Sequence, residues 1–325
     1  MRERSTVELY DHLVVRNPVL RPRRLGHVNL FVSSLAKARE FYSETCGFVE
    51  IFEEPLITAA FMSNGNTHHD LGLIEASTTD RVDKDGKVLI SAAQRGSKAS
   101  LNHLGFEMDN EKQLVEAYEN LKKLGVKAMR TIDHGLAHSV YMPDPDGNML
   151  EFYADVIDDW RSFWKDSVGK TVTGGWQPAL EGADGKPHYP DSFEPDIHPS
   201  SPIKSRRVTC ATIATSNFKA MLDFYLNVVG LELLPGSDAR HAILAGTTGE
   251  ATLRLQKVED PKNAAFSNMG IELGQADTLV AAKAYLRSKG YPIQKEENGD
   301  GQASFLTMDP DGFGVWFYAP TTNSH

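Results

Sequence analysis

HLGFEM at residues 103–108 and MPDPDGNMLEFY at 142–153 return, without a gap, as NMGIEL at 268–273 and TMDPDGFGVWFY at 307–318. Leu114, Leu121 and Gly125 between them fall on Leu279, Leu286 and Gly290. A looser pair joins GHVNLFVSSLAKAREFYSETCGF, from Gly26, to TCATIATSNFKAMLDFYLNVVGL, from Thr209, with Phe41-Tyr42 on Phe224-Tyr225. Self-similarity at this scale means duplicated supersecondary units, here four of them. Each opens on an alternating, β-rich run such as His27 to Val32. A helical pattern follows, with apolar residues three and four apart as in Leu114, Ala117, Tyr118 and Leu121. Gly125 and Gly290 stop those helices, and Asp-Pro-Asp-Gly reads as a tight turn between two strands. The unit is strand, helix, then two or three strands.

One such unit leaves a sheet with an open face, so units pair. The expected architecture is α+β, with four βαβββ modules forming two domains. An N-terminal arm at 1–24 precedes a domain at 25–157, and a linker at 158–204 leads to a second domain at 205–325. The linker carries Trp160, Phe163, Trp164 and Trp176. Four large aromatics predict a segment laid against a domain or subunit surface.

Composition bounds the function. The chain has 325 residues, 41% hydrophobic and 24% charged, which describes a globular protein with room for two cores. A net charge of −10 argues against a nucleic-acid surface, and the short Arg21–Arg24 cluster reads as solvated. With no apolar signal region at the start and no apolar run of about 18 residues, the expectation is a cytoplasmic protein without membrane contact. Two cysteines, Cys46 and Cys210, are too few for a disulfide framework or a cysteine-rich zinc site. Any metal must be held by histidines and carboxylates.

The two halves differ at particular places. His27 falls opposite Cys210, His103 opposite Asn268, and Glu151 opposite Trp316. Singly, a histidine on a half-buried strand is more often part of a core than a ligand. Together, two neutral imidazoles and a carboxylate form a facial triad with open positions, suited to Fe(II), and Mn(II) accepts the same set. A closed structural zinc site wants four protein ligands instead.

GHVNLFV, THHDLGL, NHLGFEM and HGLAHSVYMPDPDGNMLEFY, carrying His27, His69, His103, Tyr141 and Glu151, resemble the type I extradiol dioxygenases of the vicinal-oxygen-chelate superfamily. The resemblance runs from about residue 25 to the end. It implies Fe(II) on His27, His103 and Glu151, O2 as co-substrate, and a small aromatic diol cleaved to a hydroxymuconic semialdehyde-type product. His69 would be the nearby acid and base, an imidazole whose ordinary pKa of about 6.5 suits both roles. Its neighbour His68 is expected on the other face of a strand. Tyr141 would hydrogen-bond the ionised substrate oxygen, and His134 would assist, with His138 as its rival. The family habit also implies a homo-oligomer.

The pattern departs from the family in two places. The metal half is N-terminal where it is commonly C-terminal, and His134 precedes Tyr141 by two residues fewer. All the polar candidates vanish together in the C-terminal half, since Tyr141 faces Leu306, His134 faces Gly299 and His69 falls near Ala251 or Thr252. That half is expected to be a metal-free structural partner. No basic cluster lies near the ligands in sequence, which speaks against a strongly anionic substrate. Two other functions fit the same modules: a glyoxalase-like isomerase or epimerase, which usually assembles four ligands, and a non-enzymatic resistance protein that traps a drug.

Overall fold

The computed structural model describes residues 18–92, 97–126, 128–165, 175–190, 192–274, 276–299 and 302–320. In the first half β1 (Arg24–Val32), α1 (Leu35–Arg39), β2 (Val49–Glu54), β3 (Ala59–Ser63) and β4 (Leu71–Glu75) form one βαβββ module. After the hairpin of β5 (Arg81–Val82) and β6 (Val88–Ile90), a second module follows. It comprises β7 (Ser100–Glu107), α2 (Glu111–Lys123), β8 (Arg130–Asp133), β9 (Ala137–Pro143) and β10 (Met149–Asp155). The two modules merge into one eight-stranded sheet, ordered β2-β3-β4-β1-β7-β10-β9-β8.

A short α3 (Trp160–Lys165) leads to the second half: β11 (Ser205–Thr215), α4 (Phe218–Phe224), β12 (Glu232–Leu233), β13 (His241–Ala245) and β14 (Ala251–Lys257). Then come β15 (Ala265–Leu273), α5 (Ala276–Ser288), β16 (Lys295–Gly299), β17 (Gln302–Met308) and β18 (Gly314–Pro320). The second sheet repeats the order: β12-β13-β14-β11-β15-β18-β17-β16. The α+β fold of paired βαβββ modules is thus present in both halves.

Local chemistry explains the joints. Ser34 caps α1 by accepting from the Lys37 amide, and Asn110 caps α2 through Gln113. Gly147 and Gly312 end the two Asp-Pro-Asp-Gly turns at φ 85° and 87°, a region open to glycine at little cost.

Strand β1 is buried along its whole length. It sits between β4, its parallel partner, and the antiparallel β7, and it packs on β11 of the other half. The Leu25 amide donates to Thr252 Oγ1 at 2.9 Å, and the Phe41 ring meets Tyr291 at 4.8 Å. One hydrophobic core therefore spans both halves, from Leu30 and Phe106 to Ile271 and Phe317.

Two expectations are corrected here. Arg24 is buried rather than solvated: its guanidinium lies on Glu107 at 3.1 Å and on Asn66, while Arg23 bonds the same carboxylate. A buried carboxylate needs such partners to stay ionised. THHDLGL is a strand only from Leu71 onward, because residues 64–70 bend away. The Asp70 carboxylate holds that bend by accepting from Ser63 Oγ, the Asn64 amide and the Val208 amide of the second half.

Of the linker aromatics, Trp160 and Trp164 are buried in a small cluster with Phe52 and Tyr153, and Trp176 stacks on His138. Residues 1–17 of the expected N-terminal arm and 166–174 of the linker lie outside the described residues. Among the described residues no helix is long and apolar enough to cross a membrane.

Candidate metal centre and active site

One rung of the first sheet organises the site. His27, Gly105, Glu151, Tyr141 and Arg130 are successive partners across β1, β7, β10, β9 and β8. Neighbouring strands lie about 4.8 Å apart, so His27 and Glu151 start two strands away from each other. They meet because Gly105 has no side chain. The His27 ring lies over it, and a Cβ at 105 would fall 2.0 Å from His27 Nε2. His103, two residues before Gly105 on β7, shares that face.

Three ligand atoms converge there. His27 Nε2 is 2.9 Å from Glu151 Oε2 and 3.2 Å from His103 Nε2, and His103 Nε2 is 2.9 Å from the same carboxylate oxygen. Cis positions of an octahedron with bonds of about 2.1 Å lie roughly 3.0 Å apart, so this spacing fits three facial ligands of one ion. Protonation fits as well. Burial pushes His27 down to about 4, leaving it neutral. Burial opposes ionisation of Glu151, but hydrogen bonds from His103 and His27 outweigh it and hold the carboxyl well below the usual range.

The flanking groups divide into two sets. His69 stacks on His27, with centroids 4.1 Å apart, and both its nitrogens are buried without a hydrogen-bond partner. Burial, helped by the neighbouring imidazoles His27 and His68, pushes it well below the ordinary histidine value, so it is neutral at physiological pH. On the other flank Tyr141 Oη and His134 Nε2 lie 3.0 Å apart, and His134 Nε2 is 3.7 Å from Glu151 Oε1. Burial and the Glu151 charge raise the Tyr141 hydroxyl well above its usual value, so it too is neutral.

His138, the rival of His134, lies on the other face of β9. It bonds Glu111 at 2.7 Å under the Trp176 ring. His68 departs from expectation. In a bend strict alternation fails, and His68 lines the same cavity as His69, with Nδ1 2.7 Å from Asp155. Burial works against its charged form, but Asp155 more than compensates and raises it. Trp164, Asn29 and Arg130 also line the cavity. For Trp164 the sequence offered only its presence in a linker, and for Arg130 only its place before Tyr141.

In the second half the corresponding rung reads Cys210, Gly270, Trp316, Leu306 and Lys295. Among the described residues, the groups that could hold a metal both contain His27: one with His103 and Glu151, the other with His68 and His69.

The sequence profile of the Glyoxalase/Bleomycin resistance protein/Dioxygenase superfamily matches residues 24–152 and 207–317. A catechol-2,3-dioxygenase of Bacillus subtilis (strain 168) is 23% identical over 302 residues, covering 88% of this chain and 93% of that protein. A biphenyl-2,3-diol 1,2-dioxygenase of Rhodococcus globerulus is 26% identical over 132 residues. That match spans 41% of this chain and 63% of the relative's length.

Two solved structures share the fold. The 2,3-dioxygenase LapB of Pseudomonas sp. KL28 has a TM-score of 0.65 at 14% identity, over 94% of this chain and 95% of that one. The Mn(II)-bound glyoxalase of Novosphingobium aromaticivorans has a TM-score of 0.64 at 13% identity, over 94% and 86%. Because the profile covers both sheets and their central strands, the chain belongs to the glyoxalase, bleomycin resistance protein and dioxygenase superfamily.

Proposed function

We propose that this protein is an extradiol ring-cleaving dioxygenase. It would hold one Fe(II) on His27, His103 and Glu151 and insert both atoms of O2 into a catechol-type diol, giving a hydroxymuconic semialdehyde-type product. The observation that carries the reading is the facial cluster flanked by two sets of acid-base groups, His69 against His27 and the Tyr141–His134 pair beside Glu151. A four-ligand isomerase site has no need of the second set.

When bound, Fe(II) would lower the hydroxyl pKa of a chelating diol and pass electron density to O2. The protein's part is to manage protons. Tyr141 would fix one substrate oxygen by hydrogen bonding, and His134, within 3.0 Å of its hydroxyl, would relay the proton released there. His69 enters neutral with both nitrogens unsatisfied, so it can accept a proton from, or donate one to, a group on its own flank. Phe61 packs edge-on at 5.1 Å and limits water around it.

The test is purification without oxygen, loading with Fe(II) or Mn(II), and addition of air with a panel of catechols. A yellow ring-opened product with about one iron per chain supports the reading, and a larger rate with Mn(II) would exchange the metal. Bound metal with turnover of a hemithioacetal and of no diol would overturn it in favour of an isomerase.

A further inference from the structure

The first half carries a segment that the second lacks. Residues 76–99 join β4 to β7, whereas the same connection in the second half, β14 to β15, takes only 258–264. Residues 81–90 of it fold as the β5–β6 hairpin, closed by Asp83 N donating to Lys87 O. Its Leu89 and Ile90 line the cavity above the metal cluster. An addition confined to the half with the ligands serves that half's cavity.

The cavity encloses about 620 Å³. Sites for drug-sized molecules run about 300–1,000 Å³, so an unsubstituted diol ring would leave most of it empty. Its character changes along β1. His27, Asn29 and Phe31 share one face, and the four steps from His27 to Phe31 advance roughly 13 Å. At the far end Phe31, Ile57 and Ile74 form an apolar cluster, with Phe61, Leu89 and Ile90 packed on it. Among the described residues Arg130 is the single arginine or lysine lining the cavity. Its guanidinium sits 4.5 Å over the Tyr141 ring, at the polar end, and His68, held on Asp155, lies at the same end. A carboxylate carried to the apolar end would lie against Phe31, Ile57 and Ile74 and lose its hydration there.

Resting on the dioxygenase reading, we infer that the site takes diols whose ring bears a bulky, uncharged apolar substituent, and that Leu89 and Ile90 set the length admitted. The diol occupies the end near His103 and Glu151, and the substituent lies against Phe31 and Ile74 under the hairpin.

The experiment uses the iron-loaded protein with catechol, a series of 3-alkylcatechols, 3-phenylcatechol and 3,4-dihydroxyphenylacetate. Ring opening is read in air, and dissociation constants are read without oxygen from tryptophan fluorescence. Each methylene laid on the apolar wall tightens binding about fourfold until the wall is reached. The carboxylated diol binds at least tenfold more weakly than neutral diols of its size. The Leu89→Ala/Ile90→Ala variant, with its iron content measured alongside, shifts the ratio of kcat/KM for the longest over the shortest alkylcatechol at least tenfold upward. Ring opening with a flat alkyl series, or with the carboxylated diol preferred, overturns the inference while leaving the dioxygenase reading intact. Bound iron without ring opening of any diol overturns both.

Discussion

The hydroxyl of Tyr42, in the first half, donates to Asp309 Oδ2 of the second at 2.8 Å, and Tyr225 of the second half donates in turn to Asp144 Oδ2 of the first at 3.0 Å. Each aspartate opens an Asp-Pro-Asp-Gly turn, and each tyrosine follows a helix in the repeat's Phe-Tyr pair. The third turn positions join in, with Asp311 accepting from the Ser33 amide and Asp146 from Thr215 Oγ1. The repeat motifs thus serve the opposite half. Hydrogen bonds to charged groups contribute about 1.5–3 kcal/mol, so Tyr42→Phe and Tyr225→Phe should each lower unfolding stability by that order. Urea titration checks this; a loss confined to one of the pair would mean that the bonds are not equivalent.

Asp309 gives a pH dependence. Burial raises its carboxyl to about 6 from an ordinary 3.8, against hydrogen bonds from Tyr42 and the Phe313 and Asp311 amides that favour ionisation. An acid whose pKa is raised on folding binds its proton more tightly in the folded state. Its stabilising contribution is full below about 4 and lost as pH rises through about 6. Relative to Asp309→Asn, the parent should lose on the order of 2 kcal/mol between pH 4.5 and 7.5. A pH-independent difference in urea midpoints would contradict the raised pKa.

Gly105→Ala is the sharpest test of the rung. The new Cβ falls 2.0 Å from His27 Nε2, whereas Gly270→Ala in the other half meets Cys210 Sγ at 2.7 Å. Metal analysis should show Gly105→Ala losing most of its iron while remaining folded by circular dichroism. Gly270→Ala should keep its iron and lose stability alone.

Removing ligands and removing acid-base groups should separate cleanly. His27→Ala, His103→Ala and Glu151→Ala are expected to lose both bound metal and activity. His69→Phe keeps an aromatic ring against His27, so it should retain metal and drop turnover about 10²–10⁴-fold. Cys210→Ser should leave metal content unchanged; a fall in iron there would place the site in the wrong half.

Trp164 ties the linker to the histidine bend. Its indole N–H donates to the His68 carbonyl at 3.1 Å, and its ring stacks on Phe52 at 4.5 Å. Trp164→Phe keeps most of the packing and removes the donor, at about 1 kcal/mol, whereas Trp164→Ala should cost about 3–5 kcal/mol. If the bond orients His69, the phenylalanine variant lowers kcat with metal content unchanged. Unaltered kcat would reduce Trp164 to packing.

The sequence by itself determined the duplicated modules and showed which half holds two histidines and a glutamate where the other holds cysteine, asparagine and tryptophan. Both follow from local period and from alignment of one segment with another. It also placed Tyr141 and His134 together, because a strand and its turn keep neighbours in sequence near in space. What it misjudged were non-local matters. His68 and Arg24 were read from alternation and charge, yet the backbone bends at 64–70 under the pull of the Asp70 carboxylate, and Glu107 draws Arg24 inward. Only the tertiary structure decided the gap over Gly105, the Trp164 contact, the crossed tyrosine-aspartate bonds and the apolar wall under the hairpin. Each depends on residues brought together by sheet pairing and core packing across long separations, which local periodicity does not encode.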